Sequence, residues 1–130
     1  MTSRQASPPL VAQQPLGDEP WIGDIKLGYD PNGADAVGDG GVLPLRPDGG
    51  SVYASFAWRN LQPGTMVTVT RTFEEYEPMR VTAPVQTAQG EARFIALRYS
   101  VPSHVWGTTW IKMVISIEGQ EMARAYVTLK

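Results

Sequence analysis

Apolar and polar residues alternate in short runs along most of the chain after residue 20, and this period of two residues constrains the fold more than any other feature. The clearest run is residues 51–60, where one parity holds Val52, Ala54, Phe56 and Trp58 and the other holds Tyr53, Ser55, Ala57 and Arg59. Successive side chains of a β-strand point to opposite faces, so this alternation predicts a strand. Helix is not expected to contribute much to the fold.

Similar runs recur along the chain and predict about seven strands, the number in an immunoglobulin-type sandwich. They start with Ile25, Leu27 and Tyr29 and continue through residues 51–60, 65–73, 79–87, 91–100, 108–117 and 122–130, with a short edge segment at 42–45. The 13 glycines and 11 prolines exceed average usage and indicate many turns. Pro63-Gly64 predicts a type II turn, and Gly119 at a first central position predicts a type II′ hairpin.

Three details predict positions within the sheets. Pro84 cannot donate a ladder hydrogen bond, so it restricts residues 79–87 to an edge or a bend. Residues 91–100 are partly apolar on both faces, which predicts a central strand; the two faces hold Phe94 and Ala96 against Ile95, Leu97 and Tyr99. Arg71 shares the core-facing parity of residues 65–73, so it requires an edge position or a partner.

The length of 130 residues fits one folded domain with a tail. Residues 1–20 are rich in Ser, Gln and Pro, with little apolar patterning, and are predicted to form a disordered, flexible linker. Residues 21–130 are predicted to form the domain. Such a linker often tethers a module to a membrane anchor or a preceding domain, although an expression leader has the same composition.

Composition excludes several kinds of chemistry. The chain has no cysteine, so it has no disulfide, no thiolate metal site and no nucleophilic thiol. A net charge of −2 gives no reason to expect binding to nucleic acid or to an anionic membrane. No apolar run approaches the roughly 18 residues of a membrane span, and the N-terminus lacks the apolar core of a signal peptide. If the protein is secreted, its signal has been removed.

Several framework motifs resemble a family of bacterial extracytoplasmic immunoglobulin-like, or fibronectin III-like, modules. They are the run Val52–Phe56, the pair Asn60-Leu61, the turn Pro63-Gly64-Thr65 and the hairpin around Gly119. The resemblance covers roughly residues 21–130. It implies an all-β, immunoglobulin-like antiparallel β-sandwich, an extracytoplasmic or secreted location and attachment to envelope proteins, sensor kinases or proteases. No catalytic residue is implied.

The residues needed for catalysis are sparse, and the chain is not expected to be an enzyme. His104 is the only histidine, and no nucleophile motif or acidic partner accompanies it. Glu74, Glu75 and Glu77 cluster beside Tyr76, where paired carboxylates could perform acid–base chemistry. Adjacent glutamates more often form a solvated surface, which is the interpretation preferred here.

Aromatic residues are the best candidates for a contact surface. Trp106 lies in a predicted connection, and Trp110 lies opposite the Ile111 face of its strand. Together with Tyr76 they are the predicted binding residues, because exposed aromatic rings supply large contact areas for sugars or proteins. Trp58 is expected to belong to the core instead.

One loop places oxygen ligands at spacings similar to those of calcium sites. Asp30, Asn32 and Asp35 are the candidate ligands. Ala34 occupies a position where a calcium loop places a ligand, and no glutamate closes the loop. An unliganded loop is the preferred interpretation, so no cofactor is expected, and calcium at this loop is the one alternative left open.

Two functions follow from these observations. The first is a non-catalytic interaction or structural module in a cell-envelope or surface assembly, binding a protein partner or self-assembling through its edge strands. The alternative is a carbohydrate-binding module that uses exposed aromatic residues. Coplanar exposed rings would favour the glycan, whereas buried Trp58 and Trp110 beside a bare apolar edge would favour assembly.

Overall fold

The computed structural model describes residues 18–74, 76–100 and 107–130, and every regular element in these ranges is a β-strand. The strands are β1 (Trp21–Ile22), β2 (Lys26–Gly28), β3 (Val42–Leu43), β4 (Gly50–Arg59), β5 (Met66–Phe73), β6 (Met79–Pro84), β7 (Gly90–Tyr99), β8 (Thr109–Ile117) and β9 (Gln120–Leu129). They form two packed sheets around one core, which confirms the predicted all-β sandwich. Within these ranges no helix is long and apolar enough to cross a membrane.

The structure has more strands than the seven predicted because short pieces form at the start of the chain. The expected first strand is represented by β1 and β2, which pair with separate stretches of β4. The edge segment expected at residues 42–45 is β3. Of the predicted linker, only residues 18–20 lie within the described part of the chain.

The two sheets differ in width. In the smaller sheet, β4 pairs antiparallel with β1 and β2 along one edge and with β7 along the other. The larger sheet has the order β3-β9-β8-β5-β6, and all its pairs are antiparallel except β3 with β9. Within the described residues β6 and β7 are therefore edge strands. The edge position of β6 was predicted from Pro84, whereas the prediction of a central position for residues 91–100 is wrong.

A β-bulge in β7 explains why both of its faces look apolar in the sequence. The pairing steps from Val52 opposite Leu97 to Tyr53 opposite Ile95, so Ala96 has no partner in β4. The extra residue turns Leu97 into the core on the same side as Phe94, and leaves Ile95 42% exposed. Strict alternation placed Phe94 and Leu97 on opposite faces, and the bulge corrects this prediction.

The two predicted turns have different outcomes. Gly64 has φ of 96° and the Thr65 N–H donates to the Gln62 carbonyl at 2.9 Å, as the predicted type II turn requires. In the β8–β9 hairpin Glu118 has φ of 50° and Gly119 has φ of 86°, so both central residues are left-handed. This is a type I′ turn, and the predicted type II′ turn is wrong because Gly119 occupies the second central position.

Candidate binding groove

In the part of the chain that the structure describes, no strand lies opposite the inner face of β6. The register pairs Val69 with Val81 and Arg71 with Met79, and directly opposite residues project from the same face of a sheet. Val81 and Met79 therefore share the core-facing side of β5. They are nevertheless 62% and 57% exposed, because the smaller sheet ends at β7 and leaves β6 overhanging.

Two adjoining clefts run along this open side of the sandwich. The first has a volume of about 330 Å³ and its lining includes Val69, Arg71, Met79, Val81, Phe94 and Ile95. The second, of about 370 Å³, shares Val69, Val81 and Phe94 and continues to Trp58. We call these two clefts together the β6–β7 groove. Among the described residues its lining is almost entirely apolar, and Arg71 is the one charged side chain in it.

Among the described residues, Arg71 has neither the edge position nor the partner that the sequence analysis required. It lies in β5, an internal strand between β8 and β6. Its Nε is buried, and no hydrogen-bond acceptor among the described residues contacts it. Burial lowers the pKa of the guanidinium, with no acidic side chain of the described residues opposing this effect. A donor is therefore held without a partner inside an apolar groove.

The strands that border the groove carry mainly positive charge. Arg80 lies on β6, Arg93 and Arg98 lie on β7, and Glu91 is the one acidic residue of these two strands. The only side-chain bonds of these arginines in the described residues join Arg80 to Thr70 at 3.5 Å and Arg98 to Ser51 at 3.3 Å. These arginines project from the outer faces of the two strands and do not line the groove, so they add positive charge to the surface around it.

Of the predicted aromatic contact residues, the two that the structure describes, Trp110 and Tyr76, do not line the groove. Trp106 falls outside the described residues. Trp110 is half-buried on β8 and stacks on Tyr126 of β9, with ring centroids 5.5 Å apart and an interplanar angle of 18°. Tyr76 is 58% exposed in the β5–β6 connection, where its ring lies 5.3 Å from that of Phe73. Binding by these three residues stays a prediction.

The aromatic residues do not form a flat platform in the described part of the chain. Trp110 and Tyr126 each cover one face of the other ring, so the pair is stacked and does not lie side by side. Trp58 is half-buried against the core, and its Nε1–H donates to the Thr87 carbonyl at 3.1 Å. Coplanar exposed rings, the condition stated above for a glycan, do not occur among these residues. Trp58 and Trp110 are instead partly buried, which is closer to the condition stated for assembly.

The carboxylates of the candidate calcium loop bind their own backbone. The two oxygens of Asp35 accept N–H groups of Tyr29 and Asp30, each at 2.9 Å, and Asp30 Oδ1 accepts the N–H of Asn32 at 2.8 Å. Burial acts to raise the pKa of Asp35, but these backbone hydrogen bonds outweigh it and lower the pKa. In the described ranges no three His, Cys, Asp or Glu side chains cluster as metal ligands. Calcium at this loop stays a prediction.

The structure describes only part of the set of residues considered for catalysis. His104 and Glu75 lie outside the described residues. Glu74 is half-buried and Glu77 is exposed in the β5–β6 connection.

Sequence reasoning missed the groove because the exposure of Met79 and Val81 depends on which strand lies across from β6. The available signal was the alternation of Met79, Val81 and Ala83 in a run that Pro84 assigns to an edge. A scan against protein-family models finds no match to the chain, and a search of curated proteins finds none either. The function has to be argued from the groove itself.

Proposed function

We propose that the chain is a non-catalytic, extracytoplasmic interaction or structural module that binds a polypeptide in the β6–β7 groove and contributes to a cell-envelope or surface assembly. The observation that carries this proposal is the exposed apolar inner face of β6 beside an edge of β7 that pairs with no other described strand. Contiguous apolar surface on a folded domain usually marks a site of interaction.

The exposed apolar side chains of the groove would contribute part of the binding free energy. Covering a side chain such as that of Val or Met contributes about 1.5–3 kcal/mol when an exposed residue becomes fully buried. Val81, Met79 and Ile95 are each at least 42% exposed, so a ligand that covers all three would gain part of this energy from each. Association costs several kcal/mol, and backbone hydrogen bonds along the free edge would help to offset that cost.

The order of the strands supports an immunoglobulin-like assignment and, through the resemblance above, an extracytoplasmic location. We assign β4 and β7 to positions B and E, and β5, β8 and β9 to positions C, F and G, of such a sandwich. In constant-type domains a further strand, D, pairs with E. No described strand occupies that place here, and β6 instead extends the larger sheet beyond β5.

The carbohydrate-binding alternative depends on the Trp110–Tyr126 pair, in which Tyr126 is 43% exposed. Only the outer faces of these stacked rings remain for a sugar. A glycan bound there would quench the fluorescence of wild-type protein and not that of a Trp110→Ala variant. The groove proposal predicts no such difference.

Site-specific photo-crosslinking in the cells that make the protein tests the proposed function. A photoreactive residue at Val81 should form a discrete adduct with another polypeptide, because this side chain lies in the groove. Thr82 is the matched control, since it is also exposed but projects from the opposite face of β6. Equal adducts from both positions, or none from Val81, would contradict a binding role for the groove.

A further inference from the structure

We infer that the occupant of the β6–β7 groove is an extended segment of another polypeptide that adds as a strand to the free edge of β7, with apolar residues at alternate positions and a carboxylate placed against Arg71. This inference rests on the proposed function and specifies the chemistry of the partner.

The backbone of β7 favours a strand as the ligand. In an antiparallel pair, alternate N–H and C=O groups point away from the neighbouring strand. Between Glu91 and Arg98 no described residue outside β4 forms a hydrogen bond with the backbone of β7. A strand added here would receive these bonds along its length. A strand added to the outer edge of β6 would extend the larger sheet and leave Val81 uncovered.

The lining of the groove sets the pattern of the ligand. Met79, Val81 and Ala83 occupy alternate positions on the inner face of β6. A strand on β7 would face them across the sandwich, so its inward residues would also alternate over about five residues, or roughly 16 Å. At the Trp58 end of the groove none of the described lining residues is charged, and apolar residues are expected there.

Arg71 sets the register. It lies opposite Met79 in the first cleft, and its buried Nε has no acceptor among the described residues. A carboxylate on an inward-facing residue of the ligand would accept a charge-assisted hydrogen bond from this guanidinium. One acidic residue at the Met79 end, followed by apolar residues toward Trp58, therefore defines both the position and the orientation of the bound strand.

The arginines on the outer face of β7 select against a second copy as the occupant. Pairing β7 with β7 of another molecule would bring Arg93 and Arg98 close to arginines of the same strand, and like charges on neighbouring strands are destabilising. Residues 1–17 are also a poor fit, because they contain no Asp or Glu and include Pro8, Pro9 and Pro15, which lack an N–H. An acidic segment of a different protein fits better than either.

Selection from a peptide library tests the inference. Random peptides of about twelve residues, roughly twice a usual strand length, are displayed on phage and selected against the full 130-residue chain. We expect the enriched peptides to alternate apolar residues and to share an Asp or Glu at one end of the pattern. Bound peptide should slow amide hydrogen exchange in β7 between Glu91 and Arg98, and leave β8 unchanged.

Variants of Arg71 distinguish loss of its contact with the ligand carboxylate from a general effect of substitution on the folded protein. Arg71→Gln should lower the affinity for the selected peptide by about 10-fold to 100-fold. This is the range for the loss of one buried charge-assisted hydrogen bond. Arg124→Gln is the matched control, because Arg124 is exposed on β9 and pairs with Glu121 at 2.6 Å. Arg71→Glu should recover binding to a peptide whose acidic residue is replaced by Lys.

Several outcomes would overturn the inference. These are an enriched set without alternation or acidic residues, equal affinity for wild type and Arg71→Gln, exchange protection outside β7, or tighter binding of a peptide with the sequence of residues 1–17. A failed selection would also overturn it. If the Val81 crosslink is still observed in any of these cases, the groove binds a polypeptide by another mode and the proposed function stands.

Discussion

Two buried tyrosines join the segment before β4 to β7. The Arg46 N–H donates to the Tyr99 hydroxyl at 2.9 Å, Tyr99 donates to the Tyr29 hydroxyl at 2.6 Å, and Tyr29 donates to the Pro44 carbonyl at 2.6 Å. Each hydroxyl has one proton, and Tyr29 donates its proton to Pro44, so Tyr99 is the donor in the bond between the two hydroxyls. Burial, and then the hydrogen bond with Tyr99, raise the pKa of Tyr29 above its usual value.

This relay predicts a dependence of stability on alkaline pH. As pH rises through about 10, Tyr29 ionises in the unfolded chain but keeps its proton in the folded one. The unfolded state then binds fewer protons, so the free energy of unfolding falls with pH. Tyr29→Phe should cost about 1–2 kcal/mol at pH 7, and the difference from wild type should narrow above pH 10 by up to about 1.4 kcal/mol per pH unit.

Urea unfolding of both proteins from neutral to alkaline pH measures this difference. Tyr126→Phe is the control, because its ring is partly exposed and no hydrogen bond of its hydroxyl occurs in the described residues. It should change stability at pH 7 by less than about 0.5 kcal/mol. A difference between Tyr29→Phe and wild type that stays constant above pH 10 would contradict the raised pKa.

Arg71 illustrates a conflict between stability and binding. A buried donor without a partner costs about 1–3 kcal/mol, so Arg71→Met should raise the free energy of unfolding by about 1 kcal/mol in the isolated protein. Arg80→Met, on the exposed outer side of the neighbouring strand, should change it little. Denaturant unfolding measures both variants. A loss of stability in Arg71→Met would indicate that the guanidinium already has a stabilising partner.

At the scale of single elements, the β8–β9 hairpin contains a residue that does not suit its turn. Glu118 has φ of 50°, a left-handed conformation that Asn adopts more readily than Glu. Glu118→Asn should therefore raise the free energy of unfolding by about 0.5–1 kcal/mol, measured by thermal unfolding. Gln120→Asn, one residue into β9, should not stabilise the protein. Equal effects of the two changes would argue against the type I′ turn.

The strands show which features of the fold could be predicted from the sequence and which could not. Alternation in Val52–Trp58 and the restriction imposed by Pro84 are local properties, so β4 and the edge strand β6 were predicted correctly. The bulge at Ala96 inserts one residue into an otherwise regular period, and no single run reveals which position is skipped. The groove was missed for a different reason, since it depends on β7 having no neighbour opposite β6, which is a property of the sheet order.

At the scale of the whole molecule, the sandwich is unequal on its two lateral sides. On one side β3 pairs with β9 and the adjoining loop covers the core, and the Tyr126 N–H donates to Asp39 at 2.8 Å. On the other side Met79 and Val81 face solvent from the overhanging β6. The isolated domain therefore exposes on one side an inner face that a partner is expected to cover.

This asymmetry predicts where the exposed apolar surface of the folded protein lies. The double variant Met79→Lys/Val81→Lys should bind a hydrophobic dye such as ANS less strongly than wild type, while its free energy of unfolding changes by less than about 0.5 kcal/mol, because both side chains are already exposed. Met66→Lys/Val42→Lys is the matched control, since these residues are 44% and 51% exposed outside the groove. Its dye binding should stay close to that of wild type.

Light scattering over a concentration series, with and without calcium, measures the solution mass of wild type and of both double variants. The repulsion between arginines of β7 predicts a monomer mass for wild type and for both double variants. A stable dimer that the groove variant abolishes would identify a second copy as the occupant and contradict the partner inferred above. A monomer whose dye binding depends on Met79 and Val81 leaves the groove as a preformed site for a different polypeptide.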